Sequence, residues 1–191
     1  MKMKELSSFD LVGGTNLSLR YGHRKSIDLD LFSHEPFENL AIRTALEAEF
    51  KDITFKSQLN NKVGLFCFIQ QIKVDFIQYH FHPVIDQKIE VDGIRMYGDL
   101  DILAMKIFAI AQRGVKKDFW DLALLFETYN LETAIEAYSK KFPSNQMLIS
   151  IPHLLTYFDD AEESEEPVRL SNDTWDTVKQ KISKRVEEYL R

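Results

Sequence analysis

One cysteine, five prolines and seven glycines are all that this 191-residue chain holds of the residue types that most restrict or free a backbone. A lone cysteine excludes an intrachain disulfide. Cys67 sits in the apolar run Gly-Leu-Phe-Cys-Phe-Ile and reads as a buried core thiol. Long apolar runs are also missing. The longest, 102–111, contains Lys106 and is far too short to span a bilayer. The opening Met-Lys-Met-Lys-Glu-Leu-Ser-Ser lacks the apolar segment of a secretion signal. A reducing, cytoplasmic setting without a membrane is the expectation. Positive charge is in deficit, at a formal net charge of −6. That excludes a protein that coats nucleic acid by bulk electrostatics, but not one that grips it with a local basic patch. There is no Gly-x-Ser-x-Gly, no Walker lysine loop and no zinc spacing: His80 and His82 lie two apart, with His23, His34 and His153 scattered. Repeats and low-complexity tracts are absent too.

What is present is globular: 45% hydrophobic and 28% charged residues can close a core. Periodicity predicts strands over 9–12, 27–32, 53–56, 63–70, 72–79, 88–91 and 94–97. Gln70-Gln71 and Asp92-Gly93 are the hairpin turns, the second a strong signal because both residues tolerate positive φ. Helices are expected over 15–21, stopped by Gly22, then from Pro36 to 50, 99–113 with Asp99 as its cap, 117–128, 131–141 and 146–158, where Pro152 should kink or interrupt it. The acidic run Asp-Asp-Ala-Glu-Glu-Ser-Glu-Glu at 159–166 reads as a solvated linker. Ser171-Asn172-Asp173 should cap a last amphipathic helix to Leu190, whose Trp175, Val178, Ile182, Val186 and Leu190 recur every three or four residues. The layout is α+β: an α/β core over 1–98, then a helical region over 99–191.

Within the core, an apolar strand runs into Gly13-Gly14-Thr15 and a helix. Such a turn offers bare backbone N–H groups to an anion, or serves merely as a tight turn. Asp28 and Asp30 then fall two apart on a strand whose other face carries Ile27, Leu29 and Leu31. Their Cα atoms would lie about 6.5–7 Å apart, from the strand rise. Two carboxylates that close repel unless a cation such as Mg²⁺ sits between them, although a solvated acidic face is the plainer alternative. Asp75, in Lys-Val-Asp-Phe-Ile-Gln-Tyr, is a third aspartate in an apolar strand, and its strand is a candidate neighbour of the first. Three carboxylates would complete a two-metal site for in-line phosphoryl chemistry. Lys106 stands on an apolar helix and must either reach water or meet an anion. Asp118 and Asp121 lie three apart at a helix start, where one of them would cap; Arg113, Lys116 and Lys117 beside them form a local basic patch.

These pieces, in this order, resemble a known family. "GGTNLSLRYGHRKSIDLDLF" is similar to the nucleotidyltransferase signature of a Gly-Gly or Gly-Ser turn, a short helix and Asp-x-Asp on the next strand. "KIFAIAQRGVKKDFWDLALL" resembles the AbiEii/AbiGii toxin branch, with a helical lysine, an arginine, a basic-Asp pair and Asp-Leu. The resemblance covers about 9–126. It implies a nucleotidyltransferase-like mixed sheet with flanking helices, the helical region completing the site. It implies that Gly13, Gly14, Thr15, Arg24, Ser26 and Lys106 bind the nucleotide, that Asp28, Asp30 and Asp75 hold Mg²⁺, with Asp75 as ligand or base, and that Lys106 and Asp118 match the family's essential lysine and aspartate. Lys117 departs from the family's usual arginine and loses bidentate phosphate geometry. The implied activity is transfer of a nucleoside monophosphate from a nucleoside triphosphate to an acceptor hydroxyl. A tRNA or other RNA acceptor, a cognate antitoxin acting at the gene level, and a role in phage defence go with it. A small-molecule acceptor of the antibiotic kind, and a non-catalytic nucleotide- or partner-binding module, stay open.

Overall fold

A computed structural model describes residues 1–145 and 147–191. Two compact units divide the chain: Met1–Asn16, Ser26–His82 and Lys88–Tyr97 form the first; Leu17–Lys25, Pro83–Gln87 and Gly98–Arg191 form the second.

The first unit is built on seven strands: β1 (Phe9–Val12), β2 (Leu29–Ser33), β3 (Ile53–Phe55), β4 (Gly64–Ile69), β5 (Ile72–Gln78), β6 (Ile89–Val91) and β7 (Ile94–Met96). They order as β3-β4-β5-β2-β1-β7-β6. The sheet is mixed: β2 runs parallel to β5 and β1 parallel to β7, while the other neighbours are antiparallel. Helix α1 (Gly13–Tyr21) follows β1 without a loop, its residues from Leu17 on belonging to the second unit, and α2 (Asn39–Glu49) follows β2. Register explains the core. Leu11 pairs with Leu31, Leu31 with Phe76 and Phe76 with Leu65, so four strands present a continuous apolar row on one face. Ile42 and Leu46 of α2 belong to the same core cluster. Each fully buried side chain of this kind contributes about 1.5–3 kcal/mol. Cys67 is part of that core. Burial, with a smaller push from the charge of Asp75, raises its thiol to about 11.

Both hairpin turns form as the pattern predicts. Gln70 and Gln71 have φ of 49° and 69°, and Asp92 and Gly93 have 51° and 76°. Gly22 ends α1 at φ 62°, its N–H donating to the Ser18 carbonyl at 2.9 Å. The starts of elements differ more. β2 begins at Leu29, so Asp28 stands just before the strand rather than on its face. α2 begins at Asn39, three residues past Pro36.

The second unit contains α3 (Asp99–Arg113), α4 (Lys116–Leu125), α5 (Leu131–Lys141), α6 (Ile151–Thr156), α7 (Asp159–Glu162) and α8 (Trp175–Leu190). Gly98, not Asp99, caps α3; the Asp99 carboxylate is taken by Arg20 Nη2 at 2.7 Å and Tyr21 Oη at 2.6 Å. Pro152 lies in the first turn of α6, where a missing N–H costs nothing, so it starts a helix rather than kinking one. Gln146, the expected start of that helix, lies outside the described residues. The acidic run keeps its carboxylates exposed, as expected, but is partly helical and tied down by its uncharged members. Residues 159–162 form α7, Ala161 is fully buried, Ser164 Oγ accepts from the Lys116 N–H at 2.9 Å, and the Glu162 carbonyl accepts from Lys116 Nζ at 2.9 Å. Helix α8 is capped by Thr174 in a reciprocal box with Thr177, one residue past the expected cap. Its Trp175 stacks on Trp120 at 5.8 Å and meets Phe119 and Phe158 edge-on, so the amphipathic face packs within the chain.

Candidate active site

At Gly13, where β1 passes into α1, there is no room for a side chain. Gly13 has φ 72°, and a Cβ there would come within 2.8 Å of Asp30 Oδ2. Backbone conformation and close approach both require glycine. Gly13→Ala is therefore expected to cost about 1–3 kcal/mol and to displace the Asp30 carboxylate; thermal melts and a transfer assay would record both losses.

Thr15 is a brace. Its hydroxyl hydrogen-bonds Ser26 Oγ at 2.9 Å and the backbone carbonyl of Asp28, fixing the entry to β2. Asp30 is the register partner of Asp75 across the parallel β2–β5 pair. Their Cα atoms are therefore separated by about one strand spacing, roughly 4.8 Å. Val12 on one side and Phe66 on the other complete that row, which is the face opposite Leu31 and Phe76. Asp75 is mostly buried. Its Oδ2 is ion-paired with Lys73, and its Oδ1 is buried with no hydrogen-bond partner. Among the described residues no three His, Cys, Asp or Glu side chains close into a cation cage. The nearest cation to Asp75 is the Lys73 ammonium, two residues back on the same face. Burial works against the charged form of Lys73, but the hydrogen bond and charge of Asp75, then the charges of Asp30 and Asp28, outweigh it and raise its pKa.

The second unit holds a buried charge cluster. Lys106 and Arg113 lie two turns apart on α3, and Asp118 and Asp121 three apart on α4. Gly114, left-handed at φ 49°, turns one helix into the other. Lys106 Nζ lies 3.1 Å from Asp118 Oδ1 and 2.6 Å from Asp121 Oδ2. Arg113 donates to both Asp118 oxygens, at 2.8 and 3.0 Å. Arg24 grips Asp121 with Nε at 2.6 Å and Nη2 at 2.7 Å, a bidentate pair. His23 Nε2 is 2.7 Å from Asp121 Oδ1 and must carry the proton, since a carboxylate can only accept. Both aspartates are fully buried. Burial alone would raise Asp121, yet the charge of Lys106 and the hydrogen bonds of His23 and Arg24 hold it far below the usual range. Asp118 is lowered likewise: burial opposes, and Lys106 and Arg113 prevail. Burial pulls Lys106 down, but Asp121 and Asp118 leave it raised. Lys106, Arg24 and Arg113 face these two carboxylates, and the Arg113 side chain is 52% exposed.

The structure thus sorts the expected residues. Gly13, Thr15, Ser26, Asp28, Asp30 and Asp75 fall in the first unit; Arg24, Lys106 and Asp118 fall in the second. Neither Asp118 nor Asp121 caps α4, whose cap is Val115 without a side-chain bond. Lys116 leaves the expected basic patch: it is buried, spent on the Glu162 carbonyl, with Nζ 5.9 Å over the Trp175 ring. Three contributors escape sequence reading. Asp121 looks like a cap, His23 lies 98 residues away from it, and Lys73 looks like ordinary strand polarity. The i, i+3 spacing of Asp118 and Asp121 was the available signal for the first; nothing signals the second.

The profile of a family described as the nucleotidyl transferase AbiEii toxin of type IV TA systems matches residues 5–189. An uncharacterized protein of Aquifex aeolicus strain VF5 is 35% identical over 189 residues, 96% of this chain and 89% of its own. Among solved structures, MenT4, a nucleotidyltransferase toxin of Mycobacterium tuberculosis H37Rv, superposes with a TM-score of 0.60 at 12% identity, over 94% of this chain and 75% of that one. JHP933 of Helicobacter pylori gives 0.56 at 16% identity, over 95% and 83%. The fold is shared with both. No described helix is long and apolar enough to cross a membrane. With the family matched from residue 5 to residue 189, the chain belongs to the AbiEii nucleotidyltransferase toxins of type IV toxin–antitoxin systems.

Proposed function

We propose that the chain transfers a nucleoside monophosphate from a nucleoside triphosphate to an acceptor hydroxyl of RNA, most directly a tRNA, with pyrophosphate released, and that Asp28, Asp30 and Asp75 hold Mg²⁺ for the reaction. The observation that carries this reading is the first unit's carboxylate row: Asp30 and Asp75 paired across two parallel strands, with Gly13 against Asp30. The donor chemistry suits a hard divalent cation, around which the three side chains have to draw together. The donor set is all oxygen, and Asp75 Oδ1 is buried with its lone pairs unused, a costly state that a cation relieves. When bound, Mg²⁺ supplies charge neutralisation at the α-phosphate and at the departing pyrophosphate.

The chain's own residues do the rest. Gly13 and Gly14 let a phosphate approach the backbone at the start of α1. Thr15 and Ser26 hold the segment that delivers Asp28. Asp75 serves as the cation's ligand through Oδ1, the oxygen that Lys73 leaves unpaired. In the second unit, the half-exposed guanidinium of Arg113 suits an anionic polyphosphate, and Asp118 orients Lys106. Family membership implies a cognate antitoxin. Its action at the gene level, a cytoplasmic setting and a role in phage defence belong to this proposal. Offering total tRNA and, separately, small polyhydroxy compounds with each labelled nucleoside triphosphate tests the acceptor. Label on RNA is expected. Label confined to small molecules would move the acceptor to that class.

A further inference from the structure

We propose that Lys73 is the resident counter-ion of the carboxylate site: its ammonium stands in for the divalent cation when none is bound, and has to withdraw before one is seated. This rests on the reading that Asp28, Asp30 and Asp75 take such a cation. Lys73 and Asp75 are two apart on β5 and share a face, and Asp75 is in register with Asp30. Lys73 pairs with Asp75 Oδ2 and leaves Oδ1 without a partner, so one monovalent group satisfies half of a carboxylate.

The contrast with Lys106 defines the role. The Lys106 side chain is 6% exposed and locked between two buried aspartates. That of Lys73 is 45% exposed on a flexible stem. A half-exposed pair is weak, and its ammonium loses little on turning to water. Yet while it stays, it relieves the mutual repulsion of neighbouring carboxylates. Lys73 therefore lowers the site's affinity for a bare cation, which then favours a cation arriving with a polyphosphate that brings its own ligands.

The test is Mn²⁺ binding to the full chain, read from the electron-spin signal of free Mn²⁺, for wild type, Lys73→Gln and Lys56→Gln. Lys56 is the control for mere local charge: its Nζ lies 5.6 Å over Phe68, the cross-strand partner of Lys73. Lys73→Gln is expected to bind Mn²⁺ about tenfold tighter, and the gain should persist in about 0.5 M KCl, where remote surface charges are screened. Without metal it should melt below wild type, and Mn²⁺ should remove that difference. Affinity unchanged or weakened in Lys73→Gln, or tightened equally in Lys56→Gln, would overturn the counter-ion role and leave the cation site standing. No Mn²⁺ binding by any of the three would overturn the cation site itself, and Lys73's role with it.

Discussion

Asparagine in place of Asp121 is expected to cost the folded protein about 3–5 kcal/mol, because it strips the shared counter-charge from two buried cations at once. Lys106 and Arg24 both converge on this one carboxylate, with His23 as a third donor, and none of the three has water to fall back on. In a chain of this size the melting temperature should drop by roughly 10 °C. Transfer should fall by at least about a hundredfold even well below the melting point, since Lys106 loses its fixed position. The pH dependence follows from sign. Asp121 and Asp118 are lowered, so their contribution is present above the ordinary aspartate value of 3.8 and is lost as pH falls below it. Lys106 is raised, so its contribution is present below 10.5 and is lost as pH rises through its folded value. The stability gap between wild type and Asp121→Asn should be flat across neutral pH and narrow on acidification below about pH 4. A gap of constant size through pH 3 would refute the buried network.

The double variant Asp28→Ala, Asp30→Ala should abolish transfer, a loss of at least about a thousandfold, while far-UV circular dichroism stays native. The two residues are half-buried and the apolar row behind them, Leu31, Phe76 and Leu65, is untouched, so the stability change should stay within about 1 kcal/mol. Unchanged transfer in that variant would remove these carboxylates from the chemistry.

The strands were largely legible because alternation and turn chemistry are local. Asp92-Gly93 signalled its hairpin directly. The Lys-Val-Asp-Phe-Ile-Gln-Tyr stretch showed an aspartate that a strand needs a reason to carry, and it pairs with Asp30. Helix boundaries were less legible. Pro36, Asp99 and the 171–173 triplet all look like starts, but Asn39, Gly98 and Thr174 are where the backbone turns. The acidic run at 159–166 has the exposed carboxylates that like charges predict, but those charges hid that Ala161 is buried and that Ser164 bonds the Lys116 N–H. The Asp121 network was invisible in the sequence. Arg24 and His23 lie 97 and 98 residues from Asp121, and only packing decides which buried charge meets which.

The most direct experiment supplies the same nucleoside triphosphate labelled once at the α-phosphate and once at the γ-phosphate, with Mg²⁺ and total tRNA. Nucleotidyl transfer puts the α label on the acceptor and the γ label in pyrophosphate. A γ label on the acceptor, or free phosphate with no labelled acceptor, would contradict the assignment.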